Sequence, residues 1–563
     1  MHERLIQIIH SYVPIGMVLW LFSWFIPIYV NTERIILFAA FVVVPLSLFR
    51  IMETRKSNMH HPIFLKLLIY LIPVGALTLA GSFSISPGII SGLLAIPWSV
   101  VTFIIAIWGL TLITKGSLTL ADMSKTVGFI YISVAGIWLI AHQFSLPLLG
   151  FQGEIMLLTV NHFHYAGFVA PILFGFLHDY RKSFLSSTVV ILGVVAPILI
   201  ALGMTFSPLI EWLSVIVFVF ALILYSSLVF IYVIPNATRW TKGLHIISSG
   251  IIWITMGFAI IYGLGQWTGS LTIPISKMIL FHGYGNAVIF SFLGVLAWHS
   301  SLMDQQTAGI PFSRIQGTGK IGSTFFQKRN VLNQTANGHP TGLIDHLQDY
   351  KNNEFRPDQF HPDIIDFYEN TQDYDLLLIP HWSKAFRLPA RLYKLISHQL
   401  EQMNFPLEAE TREQQVSSMI LPIQDQQDGR KKVRAWVRTY NQTGKSIYAA
   451  LYSTHVSRNI RYMNIAFPLP FSQMTSILYL QHAEQDSLRL TSWLTEQKEQ
   501  DQGVYLVLRQ KAIRLPINET ITVWKELNSP AGAIEAKHDM WLFGSKFLSL
   551  DYHIYLKNEA SNS

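Results

Sequence analysis

The sequence predicts a polytopic α-helical membrane bundle of about ten transmembrane helices, followed by a soluble, strand-rich α+β domain with an antiparallel sheet. Three observations carry that reading. Of 563 residues, 51% are hydrophobic and only 13% charged, a membrane-protein balance averaged with something more polar. Nearly all the long apolar runs precede residue 300, and most of the charge follows it. From Val416 onward the apolar residues alternate at strand period instead of filling long runs. The expected domains are a membrane part over 1–300, a flexible linker over 301–358 and a cytoplasmic α+β domain over 359–563.

Runs long enough to span fall at about 11–30, 35–50, 63–83, 89–113, 127–147, 156–177, 184–204, 209–234, 245–264 and 278–298. Loop charge tests the count. With the N-terminus inside, inner segments carry Arg4, Arg50, Arg55, Lys56, Lys66, Lys115, Lys125, Arg181, Lys182, Arg239 and Lys242, and outer ones only Arg34 and Lys277. Both termini are therefore expected in the cytoplasm. The net charge of +7 then reflects loop orientation and implies no nucleic-acid partner. Residues 1–30, long and broken by Pro14 and Pro27, do not read as a cleavable signal. The chain has no cysteine, which excludes disulfides, thiolate zinc sites, cysteine-ligated iron–sulfur clusters and cysteine nucleophiles.

The sixth span is polar where it should be apolar. Thr159, Asn161, His162, His164 and Tyr165 interrupt it, and such groups are expensive in hydrocarbon unless they bind each other, water or a ligand. They serve either as glue between helices or as a functional site. The topology places His142, Glu154, His162, His164, Glu211 and His282 in one layer in or near the outer half of the membrane. His60, His61, His178, His245 and His299 are expected near the inner surface as solvated, interfacial side chains.

Helical geometry limits which residues can cooperate. His162 and His164 lie about 200° apart on an ideal helix and cannot chelate one ion together unless the helix opens, for which Pro171 gives a reason. His282 and Asn286 share a stripe expected to face the sixth span, beside Tyr284 and two glycines that allow close approach. The second histidine of the sixth span is expected to point toward His142 or Glu211. The candidate polar, substrate or proton site is thus Asn161, His162, His164, Tyr165, His282, Tyr284 and Asn286, with Glu211 secondary. A set drawn from His142, Glu154, His162, His164 and His282 would suit a transition metal, and two histidines on different helices could ligate haem.

At Asn161-His-Phe-His-Tyr-Ala-Gly-Phe168, with Phe281-His-Gly-Tyr-Gly-Asn-Ala287 on a later span, the chain resembles the bacterial YndJ-like membrane proteins. The resemblance covers most of the membrane part. It implies a multi-pass protein of the bacterial inner membrane and marks His162, His164, Tyr165, His282 and Asn286 as motif positions; it implies no reaction. The segment after Gln359 is similar to bacterial domains with an FYE-T…W…F pattern, here Phe367-Tyr-Glu-Asn-Thr371, Trp382 and Phe386.

In the C-terminal part, Gly317-Thr-Gly-Lys-Ile-Gly-Ser323 lacks phosphate-loop spacing and reads as a flexible turn. A short helix is expected at 362–370 and an amphipathic one at 384–403, the latter packed on its own sheet or laid on the inner leaflet. Strands are expected at 416–423, 432–441, 446–455, 460–467, 474–481, 486–492, 504–509, 511–524, 533–543 and 547–556. Such a domain suits a lipid, a small-molecule ligand or a partner protein. Three functions remain open from sequence: a transporter or exporter, a metal- or haem-dependent intramembrane enzyme acting on lipid or quinone, and a membrane sensor or scaffold.

Overall fold

In hydrocarbon a backbone can satisfy its N–H and C=O groups locally only as a helix, and each long apolar run adopts one. Two units, Met1–Leu302 and Met303–Ser563, divide the chain in the computed structural model. It describes residues 2–53, 62–114, 116, 118–270, 273–333, 339–407, 414–494, 501–508, 511–526 and 534–557. Arg55, Lys56, His60, His61 and Lys115 lie outside them.

Among the described residues of the first unit, nine helices are long and apolar enough to span. We label the helices α1 (His2–Phe22), α2 (Asn31–Met52), α3 (Ile63–Phe83), α4 (Ile89–Thr114), α5 (Leu120–Gln143), α6 (Glu154–Tyr180), α7 (Phe184–Phe206), α8 (Pro208–Asn236), α9 (Arg239–Thr268) and α10 (Ile275–Leu302). The expected first span departs from this set. The apolar stretch of α1 and the turn after it, Tyr12–Phe25, is shorter than a spanning length. Tight α5–α6 contact depends on small residues: a Cβ on Gly128 would stand 2.8 Å from the Phe168 carbonyl, and one on Gly175 2.7 Å from that of Ala121. Four of the described helices widen into π geometry, α2 over Ala39–Val43, α6 over Phe163–Val169, α8 over Val229–Val233, and α10 over Met278–Gly283 and Gly285–Phe292.

The second unit is a closed antiparallel barrel. Its strands are β1 (Tyr374–Trp382), β2 (Gln414–Pro422), β3 (Arg434–Tyr440), β4 (Ser446–Ser457), β5 (Ile460–Leu469), β6 (Ser472–His482), β7 (Leu488–Thr491), β8 (Gly503–Leu508), β9 (Lys511–Arg514), β10 (Ile517–Lys525), β11 (Ile534–Leu542) and β12 (Ser545–Leu556). They follow one another as β5-β4-β3-β2-β1-β12-β11-β10-β7-β6, and β6 pairs back to β5 to close the ring, with β8 and β9 continuing from β6. Closure removes the free edges that would otherwise template pairing with another chain. The expected strand over 511–524 is two strands, because Pro516 interrupts the ladder between β9 and β10.

The stretch expected to be a flexible linker, 301–358, is packed. On β3, Trp436 and Tyr440 join the barrel's inner core, while Ala435 and Val437 face outward and are covered by Ile315, Phe325, Phe326 and Val331. Leu347 and Phe355 are likewise buried in the inner core. Each such side chain contributes about 1.5–3 kcal/mol by leaving water, so this covering is part of the fold. The glycine-rich turn is also tied down: Gly317 N–H donates to the Leu469 carbonyl at 3.0 Å, and Lys320 pairs with Glu401 at 2.6 Å.

Helix α11 spans Pro362–Glu369 and α12 Arg387–Leu400. Helix α12 does not bury its apolar stripe on the sheet: Leu388, Leu392, Leu395 and Ile396 are 59–67% exposed beside Arg387, Arg391 and Lys394. Its buried face is made of smaller residues, Ala390 and Ser397.

Candidate functional site

The polar residues of α6 and α10 are sorted by the helices they meet. Asn161 Nδ2 donates to the Thr32 carbonyl at 3.0 Å, and the Tyr165 hydroxyl donates to that of Ile35 at 2.8 Å. The Tyr284 hydroxyl donates to Asn31 Oδ1 at 3.1 Å, and Gly283 lies against Ile35. Asn161 and Tyr165 of α6 meet Thr32 and Ile35 in turn, and Tyr284, Phe292 and His299 of α10 meet Asn31, Phe38 and Phe49 in turn, so α6 and α10 both run parallel to α2. Asn161 and Tyr165 thus act mainly as clasps on α2. Asn161 Oδ1 is buried and without a partner.

His162 and His164 diverge, as their angular separation requires. His164 is fully buried; Trp98 Nε1 donates to its Nε2 at 3.1 Å, and its Nδ1 lies 2.9 Å from the Val160 carbonyl. A carbonyl only accepts, so Nδ1 carries the proton and both ring nitrogens are occupied. His164 therefore faces Trp98 on α4, not His142 or Glu211. The widened turn that follows Phe163 lies on the motif itself, just before Pro171, and does not bring the two imidazoles together.

His162 is exposed, with Nδ1 2.8 Å from the Leu158 carbonyl. His282 is half-buried, with Nδ1 2.9 Å from the Thr255 carbonyl. The same reasoning puts a proton on each Nδ1 and leaves each Nε2 as a lone pair. The two rings are near enough to interact electrostatically. The His282–Asn286 stripe turns toward α9 instead of α6, for Thr255 also donates to Asn286 Oδ1 at 2.8 Å. His282 thus borders α9 with one nitrogen and shares a local field with His162.

The remaining candidates stand apart. Glu154 is exposed in the first turn of α6, and His142 and Glu211 are half-buried near other helix ends. Among the described residues no three His, Cys, Asp or Glu side chains are placed to hold one metal ion, so His142, Glu154, His162, His164 and His282 do not form one coordination site. No pair of facing histidines suited to haem is formed by His164, whose ring is stacked on Trp98 at 6.0 Å.

Sequence reasoning missed a second polar layer in α2, α5 and α6. Lys125 is 1% exposed, 2.5 Å from Asp179 and 3.5 Å from Asp122. Lys125 and Arg50 both lie over the ring of Phe176. In the sequence Lys125 and Arg50 read as loop charges, though their place inside helices is the available signal. Two of the inner histidines are also buried, not solvated: His178 bonds Ser186 at 2.9 Å and His245 bonds Ser301 at 2.9 Å.

A family model described as YndJ-like protein matches residues 34–290, the part that holds α2, α6 and the start of α10. The "Uncharacterized membrane protein YndJ" of Bacillus subtilis (strain 168) is 34% identical over 440 residues, covering 77% of this chain and 78% of that one. The chain belongs to the YndJ-like family. Because the first unit ends at Leu302, a YndJ likeness of that length extends into the barrel unit. No solved structure matches this YndJ-like chain.

Proposed function

We propose that the membrane unit is a transporter for a small polar solute and that His162 and His282 share a proton during its cycle. One observation carries the reading: two interacting imidazoles each hold Nδ1–H on a carbonyl and keep Nε2 free. Two imidazolium ions at such a site repel, so the pair accepts one proton. The π segments of α2, α6 and α10 supply places where parallel helices can bend, and such segments are frequent at functional sites. The separate Lys125–Asp179 layer on α5 and α6 supports a second gate. The loop charge bias supports a reading in which the histidines lie in the outer half of a bacterial inner membrane and the barrel lies in the cytoplasm.

The test uses the full chain in liposomes containing a pH-sensitive dye. Sugars, amino acids, organic acids and inorganic ions are added in turn under an imposed pH gradient. A solute that moves protons with wild type should move none with His162→Gln or His282→Gln, while both variants keep the wild-type unfolding temperature. Solute-linked proton movement that survives either substitution, or no response to the whole panel, counts against the reading.

A further inference from the structure

Among the described residues, the barrel interior holds a cation with no carboxylate in ion-pair range. Arg438 on β3 is 2% exposed. Its Nη1 donates to the Tyr448 hydroxyl at 2.8 Å, while Nε and Nη2 are buried with no hydrogen-bond partner. Those two nitrogens form one side of the planar guanidinium, the edge that meets a carboxylate through two parallel hydrogen bonds. The faces are already taken: the guanidinium carbon lies 4.5, 5.3 and 4.9 Å from the ring centroids of Trp436, Tyr448 and Tyr552. The rings offset part of the desolvation cost, but a ring face does not accept the in-plane N–H groups. The Tyr552 hydroxyl also lies beside the guanidinium, without reaching hydrogen-bond geometry to Nε or Nη2.

Arg438 lines a cavity of about 80 Å³. Its lining is mostly apolar, with Phe405, Phe467 and Ile521 among the side chains. Glu519 is the only carboxylate on it among the described residues, and its Oε2 is 2.8 Å from His538 Nε2. Glu519 makes no ion pair with Arg438. Trp436 Nε1, on the same wall, is a third buried donor without a partner. Burial weakens the hold on the guanidinium proton, but the surrounding phenols outweigh it, so the charge persists. A buried charge with two orphan donors costs several kcal/mol unless something accepts from it.

We propose that the barrel binds a small organic monocarboxylate, its two oxygens on Arg438 Nε and Nη2 and its apolar part against the aromatic wall. One negative charge matches the single guanidinium. A phosphate dianion would bring a second charge toward Glu519. Trp436 Nε1 supplies a third hydrogen bond to the carboxylate. The site is independent of the histidines of the membrane unit, and its failure leaves the transport reading untouched.

The experiment is equilibrium dialysis of the full chain in detergent against radiolabelled butyrate, which is too polar to accumulate in micelles. One butyrate should bind per chain. Unlabelled butyrate should compete, and the uncharged isostere butyramide and inorganic phosphate should compete at least tenfold less well. Arg438→Met should weaken binding at least tenfold, and Trp436→Phe, which keeps the ring and loses the indole N–H, about three- to tenfold. The wild-type competition decides the matter even if Arg438→Met fails to fold. No bound butyrate, equal competition by butyramide, preference for phosphate, or unchanged binding by folded Arg438→Met would each overturn the proposal.

Discussion

Lys125 and Arg438 are almost equally withdrawn from water, yet their surroundings differ in one respect. Lys125 is 2.5 Å from Asp179 and 3.5 Å from Asp122, above the ring of Phe176. Arg438 has three rings and a phenol hydroxyl around it and, among the described residues, no carboxylate in ion-pair range. Arg430, in the same unit as Arg438, follows the ordinary rule and is bonded to Asp428 at 2.6 Å. A buried cation with its counter-ion supplied by the chain is a lock. One whose counter-ion is not supplied by the chain is a receptor. The same distinction divides the histidines: His164 has both nitrogens engaged, whereas His162 and His282 each keep one free.

That comparison can be broken by substitution, and the largest effect belongs to the lock. Lys125→Met should lower stability by about 3–5 kcal/mol, because it removes the buried cation that pairs with both Asp122 and Asp179. Thermal unfolding of the first unit in detergent measures it, and a loss under about 1 kcal/mol would mean that the pair is not a lock. His164→Leu should come next, at about 2–3 kcal/mol, since it strands the Trp98 N–H in an apolar interior. An unfolding temperature equal to wild type would contradict the assignment of His164 as structural.

A surface-facing ion pair should rank lower and carry a pH signature. Partial burial pushes the Asp345 carboxyl up, but hydrogen bonds from Lys432 and Arg434 and their charges outweigh it and hold the value at about 2. The folded form thus binds its proton less readily than the unfolded one, whose value is 3.8. The resulting stability is present above about pH 4 and is lost as pH falls toward 2. Screening at this half-buried position limits it to about 1–2 kcal/mol. Asp345→Asn should therefore unfold earlier than wild type at pH 5 and together with it near pH 2, and a gap that persists in acid would contradict the ion-pair account. Smallest of all, Arg438→Met without ligand should change barrel stability by less than about 1 kcal/mol, or raise it, because removing an uncompensated charge relieves its desolvation. A loss as large as that of Lys125→Met would show that the rings alone make Arg438 a lock.

Much of this architecture is legible in the sequence. The alternation of Arg434-Ala-Trp-Val-Arg-Thr-Tyr440 coincides with β3, and the apolar runs coincide with α2–α10. The central strand β1 is not legible, because Leu376-Leu-Leu-Ile379 has no alternation and Pro380 follows it. Nor is ring closure, which joins β1 to β12 and β5 to β6 through pairings that no local pattern records. The covering segment is missed because only the outward faces of β3 and β4 make its scattered Ile and Phe residues useful. At the candidate site, depth and the divergence of His162 from His164 follow from helix geometry. The choice of neighbour does not: Trp98, Thr255 and Thr32 are named by no spacing. Arg438 is likewise only one basic residue on a strand until the barrel closes around it.

Helix α12 gives the second unit a character that its closed sheet conceals. Four large aliphatic side chains stand in water along one side of a helix whose flanks carry Arg387, Arg391 and Lys394. A body built this way behaves as a surfactant. Residues 303–563, released from the first unit, would adsorb to any oil–water boundary through α12 while the barrel stays folded. Replacing Leu392 and Leu395 with Gln would turn it into an ordinary solute without touching the barrel's interior.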